Sequence, residues 1–186
     1  MKLDSPHQLS PMTIFLHWLV GTIMIGLLVV GVYMVETETF HLYAWHKAIG
    51  FLIFFVIVFR AAWRIKNGWP IPVTQYKRTE HLLTKLVDWI LILGTIILPV
   101  SGFMQSSLSG HGVNVFGFEI AARNVDPDNI KKIIAHNKEL ELFFHFIHYQ
   151  VSYIVIVSLV LHVFGTFKHH IVDKDNTLRR MLGLKF

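Results

Sequence analysis

Residues 143–170 read FFHFIHYQVSYIVIVSLVLHVFGTFKHH, from Phe143 to His170. Between Phe146 and Phe167 the stretch is long and apolar enough to cross a bilayer. It nevertheless contains His148 and His162. An ionisable residue inside a membrane helix is costly, and by default it marks function. The spacing sharpens the point. Fourteen residues make about 3.9 turns, so the two imidazoles fall within about 40° of one face and lie roughly 21 Å apart along the axis. In a hydrocarbon core about 30 Å thick, that sets one histidine toward each surface. One helix with a ligand at each membrane face predicts two stacked cofactors, each needing a partner elsewhere in the chain.

Composition agrees with a membrane location. Of 186 residues, 53% are hydrophobic and only 16% charged. The first apolar run is too long for a signal-peptide core and follows a polar start, so no cleavable signal is expected. The chain has no cysteine. That excludes disulfides, thiolate zinc sites, iron–sulfur clusters and covalently attached haem. The twelve histidines direct attention to imidazole ligation instead. A net charge of +5 is the mark of basic cytoplasmic loops rather than of a nucleic-acid partner.

Three further spans follow from the apolar runs, giving about 11–35, 41–65, 80–104 and 142–168 in one membrane domain. Ser10-Pro11 is a helix N-cap with proline at the first helical position. Asn67-Gly68 stops the second span. Pro99 is expected to kink the third. Residues 66–78 form a Pro-bearing basic loop, and residues 105–138 form the longest loop. There, Asp126-Pro127 is expected to cap a short amphipathic helix over IKKIIAHNKEL. Lys and Arg number 12 on the side of both termini and loop 66–78, among them Lys2, Arg60 and Lys185, against five on the other. The positive-inside rule then sets both termini in the cytoplasm and loop 105–138 outside. The fold class expected is an all-α membrane protein, an antiparallel four-transmembrane-helix bundle.

Depth now pairs the histidines. His17 lies near the inner end of span one, and His46 lies near the outer end of span two. His46 therefore matches His148, and His17 matches His162. Two imidazoles on different helices are the axial ligands of a haem b, which predicts two haem b groups in the bundle. Small residues stand one turn away: Gly21, Gly50, Ser152 and Gly165. They leave room for a flat ring, although small residues also serve ordinary helix packing. A zinc or non-haem iron site would want a carboxylate or a third imidazole nearby. Asp88 is the one carboxylate well inside a span, and it has no histidine a turn away. His145 falls about 100° off the face of His162, so His148 is the preferred ligand. His169 returns to that face lower down, where a cofactor carboxylate, a quinone head or a juxtamembrane basic cluster with Lys168 and His170 are the alternatives. His7, His41, His81, His111 and His136 read as solvated.

FLHWL in span one, WHKAIG in span two, the His148–His162 spacing and the tail KHHIVDKDNTLRRM together resemble the bacterial cytochrome b561 family, which includes nickel-hydrogenase-type cytochrome b subunits. The resemblance covers nearly the whole chain. It implies a four-helix di-haem b electron carrier of the bacterial inner, respiratory membrane, ligated by His17, His46, His148 and His162. It further implies a superoxide:ubiquinone oxidoreductase, oxidising superoxide outside and reducing ubiquinone. Lys47, Arg123, Lys131 and Lys132 could steer that anion. The last two read rather as the solvated face of an amphipathic helix. The alternative is an electron-transfer subunit that relays charge between a partner dehydrogenase or cytochrome and quinone. Neither needs a side-chain nucleophile or general acid.

Overall fold

The computed structural model describes residues 3–5, 8–68 and 77–184. Lys2, His7 and Lys185, and residues 69–76 of the Pro-bearing loop, lie outside them. Four long helices dominate: α1 Pro11–Thr37, α2 Leu42–Asn67, α3 Arg78–Leu108 and α4 Lys138–Ile171. All four are long and apolar enough to span a membrane. Their outward faces stay apolar, with Phe15, Val29, Phe55, Val157 and Phe164 all exposed. In water such a surface would aggregate; against lipid it is the favoured solvent contact.

The helix ends follow from capping chemistry. The Ser10 hydroxyl accepts from the Thr13 N–H, with Pro11 at the first helical position. The left-handed backbone of Gly68 (φ 72°) ends α2. The Asn137 side chain accepts from the Leu140 N–H at the start of α4. Glu139 and Glu141 occupy its first turn, and Lys168, His169 and His170 its last, which suits the helix dipole at both ends. Helix α3 continues through Pro99 as one element.

The buried centre is a layer of Val20, Met24 and Leu28 from α1, Ile53 and Ile57 from α2, Leu98 from α3 and Val155 from α4. Gly94 is required there, because a methyl group at that position would drive into Val155. Between α1 and α4 the bundle leaves an apolar cleft of about 520 Å³, lined by Ile25, Leu28, Val32, Ile156 and Leu159 among others.

At the N-terminal end, Asp4 ties α1 to α2. Its carboxylate accepts from the Ser10 N–H, the Thr13 hydroxyl and the Arg64 guanidinium, each at 2.8 Å. Burial pushes the Asp4 carboxyl up, but these hydrogen bonds outweigh it and hold the group below its ordinary value. The indole of Trp63 donates to Thr13 at 2.9 Å. A short helix, α5 Thr177–Met181, folds back beside α1, where the Trp18 indole donates to the Met181 carbonyl.

Of the amphipathic helix expected at 130–140, residues 130–133 are β structure instead, and only residues 138–140 are helical, as the start of α4. Residues 113–133 make two hairpins, β1 Val113–Val115 with β2 Phe118–Ala121, and β3 Val125–Asp126 with β4 Asn129–Ile133. Asp126-Pro127 forms a turn rather than a helix cap. The Asp126 side chain accepts the Asp128 N–H, and Asn129 pairs back across to Asp126. Isoleucines at 130, 133 and 134 imitate helical spacing, yet Ile130 is 78% exposed. The first hairpin turns through Phe116 (φ 49°) and Gly117 (φ 97°), a pair of positive angles suited to strand twist. Trp45 packs on Phe116 with ring centres 5.5 Å apart, which holds the strained phenylalanine in place.

Candidate functional site

The four histidines on the long helices meet as two pairs. His46 of α2 and His148 of α4 have ring centres 6.3 Å apart, and so do His17 of α1 and His162 of α4. Two metal–nitrogen bonds of about 2 Å, with about 1.1 Å from each nitrogen to its ring centre, span about 6.2 Å. Each pair therefore has the spacing of two imidazoles sharing one metal centre. Among the described residues no group of three or more His, Cys, Asp and Glu side chains converges on a metal position. The donor set is bis-imidazole, which suits haem iron better than zinc or non-haem iron.

The outer pair is held as a ligand pair needs to be. His148 Nδ1 lies 3.0 Å from the Leu98 carbonyl and 3.1 Å from the Ser101 hydroxyl. A carbonyl only accepts, so Nδ1 carries the proton and Nε2 keeps its lone pair. Ser101 in turn donates to the Ile97 carbonyl at 2.7 Å. His46 Nδ1 is buried without a hydrogen-bond partner among the described residues. Gly102 backs the His148 ring and Gly31 backs His46. A methyl carbon at those glycines would stand 2.9 Å and 3.4 Å from the respective Cε1 atoms. Sequence spacing points to other small residues. At Gly21, Gly50 and Gly165 a methyl would meet no atom within 4 Å. Those three positions stand open, one turn from His17, His46 and His162 respectively. The Ser152 hydroxyl bonds within its own helix, to the Tyr149 carbonyl.

The inner pair has a different setting. Asp88 Oδ1 lies 3.7 Å from His162 Nδ1. Spacing along one helix could not reveal this contact, because tertiary packing of α3 on α4 makes it. His145 points elsewhere, bonding Gln105 at 3.0 Å and stacking on Tyr149. His169 Nδ1 lies 2.7 Å from Asp173, which also receives Lys168. It belongs to a juxtamembrane charge cluster that extends to Glu80 through Lys168.

The first hairpin packs on α2 beside the His46–His148 pair. Val113 and Val115 pack on Ala48, two residues past His46. Lys47 donates to the Gly112 carbonyl at 2.8 Å. Beside it lies a cavity of about 120 Å³, lined in part by Lys47, His111, Asn114, Glu119 and Arg123. Burial, then the charges of Lys47 and Arg123, hold the His111 imidazole below its ordinary value. Lys47 and Arg123 bring positive charge to this lining, and the Glu119 carboxylate offsets part of it. Lys131 and Lys132 stand on the second hairpin instead, with Lys132 paired to Asp126 at 3.0 Å.

A relative in Escherichia coli (strain K12), cytochrome b561 homolog 2, is 29% identical over 188 residues, covering 97% of this chain and 94% of the relative. The family model described as prokaryotic cytochrome b561 matches residues 8–184, which takes in all four long helices and both histidine pairs. The chain belongs to the prokaryotic cytochrome b561 family, membrane cytochromes of the b type that bind haem b and transfer electrons.

Proposed function

We propose that the chain holds two haem b groups, one between His46 and His148 and one between His17 and His162. Electrons pass between the outer membrane face and the ubiquinone pool. The observation that supports this best is the equal 6.3 Å spacing of the two histidine pairs, with both levels served by α4. When bound, haem b supplies a one-electron carrier at each level. The chain's own residues do the rest. Leu98 and Ser101 fix the His148 ring. The apolar layer around Val20 and Val155 keeps water from between the levels. Both termini face the cytoplasm, as the Lys and Arg distribution argues.

The electron donor we assign is superoxide. Two superoxide ions each lose one electron to become oxygen, while one ubiquinone takes two electrons and two protons to become ubiquinol. The cavity at Lys47 and Arg123, immediately beside the His46 segment, supports a small anion as donor. A second reading, an electron-transfer subunit docking a protein donor, is favoured by the hairpin surface, where Phe118 is 75% and Ile130 78% exposed. The deciding experiment supplies the purified chain, with its haems counted, with superoxide and a ubiquinone analogue. Ubiquinol formation that falls steeply with ionic strength is expected. A protein with two haems and no ubiquinol formation would refute the superoxide reading and leave the subunit reading standing.

A further inference from the structure

Arg60 lies on α2, fourteen residues after His46. The same interval separates His148 from His162 on α4, so α2 presents His46 at the outer level and Arg60 at the inner level on one face. Arg60 is half-buried. It lies within electrostatic reach of His17, Arg64 and Asp88. It makes no hydrogen bond and no ion pair within 4 Å among the described residues. Its cationic neighbour Arg64 is committed to Asp4 at 2.8 Å. An arginine inside a membrane helix faces a partner or a functional cavity, because hydrocarbon offers nothing for its five N–H donors. The planar fork of a guanidinium matches a carboxylate in two-toothed fashion. Haem b would bring two propionate carboxylates, and Arg60 lies within electrostatic reach of His17, one of the two residues that would hold the inner haem.

We propose that Arg60 anchors a propionate of the haem held by His17 and His162, making it a cofactor-binding residue of the inner site. This rests on the ligand assignment above. The competing source of an anion is a lipid phosphate, reached if the side chain snorkels toward the inner headgroups.

The test uses the full chain carrying His148→Ala, which keeps the inner haem alone under the ligand assignment. Arg60→Gln is then introduced and read by resonance Raman, redox titration and haem-loss rate. The expected result is a shift of the propionate-bending bands, a lower midpoint potential because a cation near the ferric state is gone, and haem loss faster by about tenfold. Arg60→Lys should restore the potential but not the bands, since an ammonium cannot make the two-toothed contact. It also serves as the test if Arg60→Gln is not recovered. Unmoved propionate bands in both variants would overturn the proposal, and so would a change confined to co-purifying phospholipid. Absence of any haem in the His148→Ala protein would instead overturn the ligand assignment.

Discussion

Gly102→Ala is the sharpest probe of the outer site. The new methyl carbon would stand 2.9 Å from Cε1 of His148 and 3.1 Å from Nδ1, so the ring must retreat by about half an ångström. It has little freedom to do so. Nδ1 is fixed by the Leu98 carbonyl at 3.0 Å and the Ser101 hydroxyl at 3.1 Å, and the His46 ring lies 6.3 Å away, centre to centre. Overpacking costs about 1–3 kcal/mol, and a weakened hydrogen bond adds about 1 kcal/mol. A penalty of about 2–3 kcal/mol falls on the ligand geometry, or roughly 30- to 150-fold weaker retention of the outer haem. The assay is haem per polypeptide after extended detergent washing, with reduced-minus-oxidised spectra to tell the two centres apart. Gly26→Ala is the control, because a methyl there meets no atom within 4 Å. Gly102→Ala protein that keeps both haems at wild-type retention and potential would show that His148 is not a tightly backed ligand.

His148→Ala is expected to remove the outer haem and leave the inner spectrum, and His162→Ala the reverse. His145→Ala should leave both, since its ring bonds Gln105. Haem counting and low-temperature spectra decide between these outcomes. Asp4→Asn weakens the tie to Arg64 and Thr13 and should lower stability by about 1–2 kcal/mol, read as a lower thermal midpoint in detergent. The Asp4 carboxyl is held below its ordinary value of 3.8 in the folded state. Its contribution is therefore present above pH of about 4 and lost as pH falls through the folded value. The wild-type advantage over Asp4→Asn should vanish in strong acid.

Much of the bundle was legible because bilayer length and capping are local rules. Ser10-Pro11 and Asn67-Gly68 mark ends that the fold uses. The meeting of His46 with His148 and of His17 with His162 was legible through helix rise and depth, which constrain rigid spans strongly. What stayed hidden depends on lateral packing. Asp88 beside His162, Gly102 behind His148 and Gly31 behind His46 all sit on helices other than their partners, and no spacing along one helix reports them. The outer loop misled for another reason. The isoleucines near 130–134 carry a helical period, but the Asp126-Pro127 turn and the bonds of Asn124 and Ile134 to each other settle a hairpin. Local turn chemistry outweighed periodicity.

The two levels differ in charge, and this bears on where quinone chemistry belongs. His148 is steadied by a neutral carbonyl and a hydroxyl. The inner level has Asp88, Arg60 and, just beyond, the Glu80–Lys168–Asp173–His169 cluster. The buried apolar cluster between the levels, formed by Val20, Met24, Leu28, Ile53, Ile57, Leu98 and Val155, contains no titratable side chain. It offers a proton no stepping stone, and transferring a bare charge through it is strongly unfavourable. An electron relayed between cofactors faces no such barrier. Ubiquinone reduction consumes two protons. Under the proposed direction of flow, those protons must enter from the side on which the quinone is reduced. Under the proposed topology, Asp88 and the Glu80–Lys168–Asp173–His169 cluster are the titratable groups on the cytoplasmic side of the apolar layer, and the proposed quinone reduction belongs at that end.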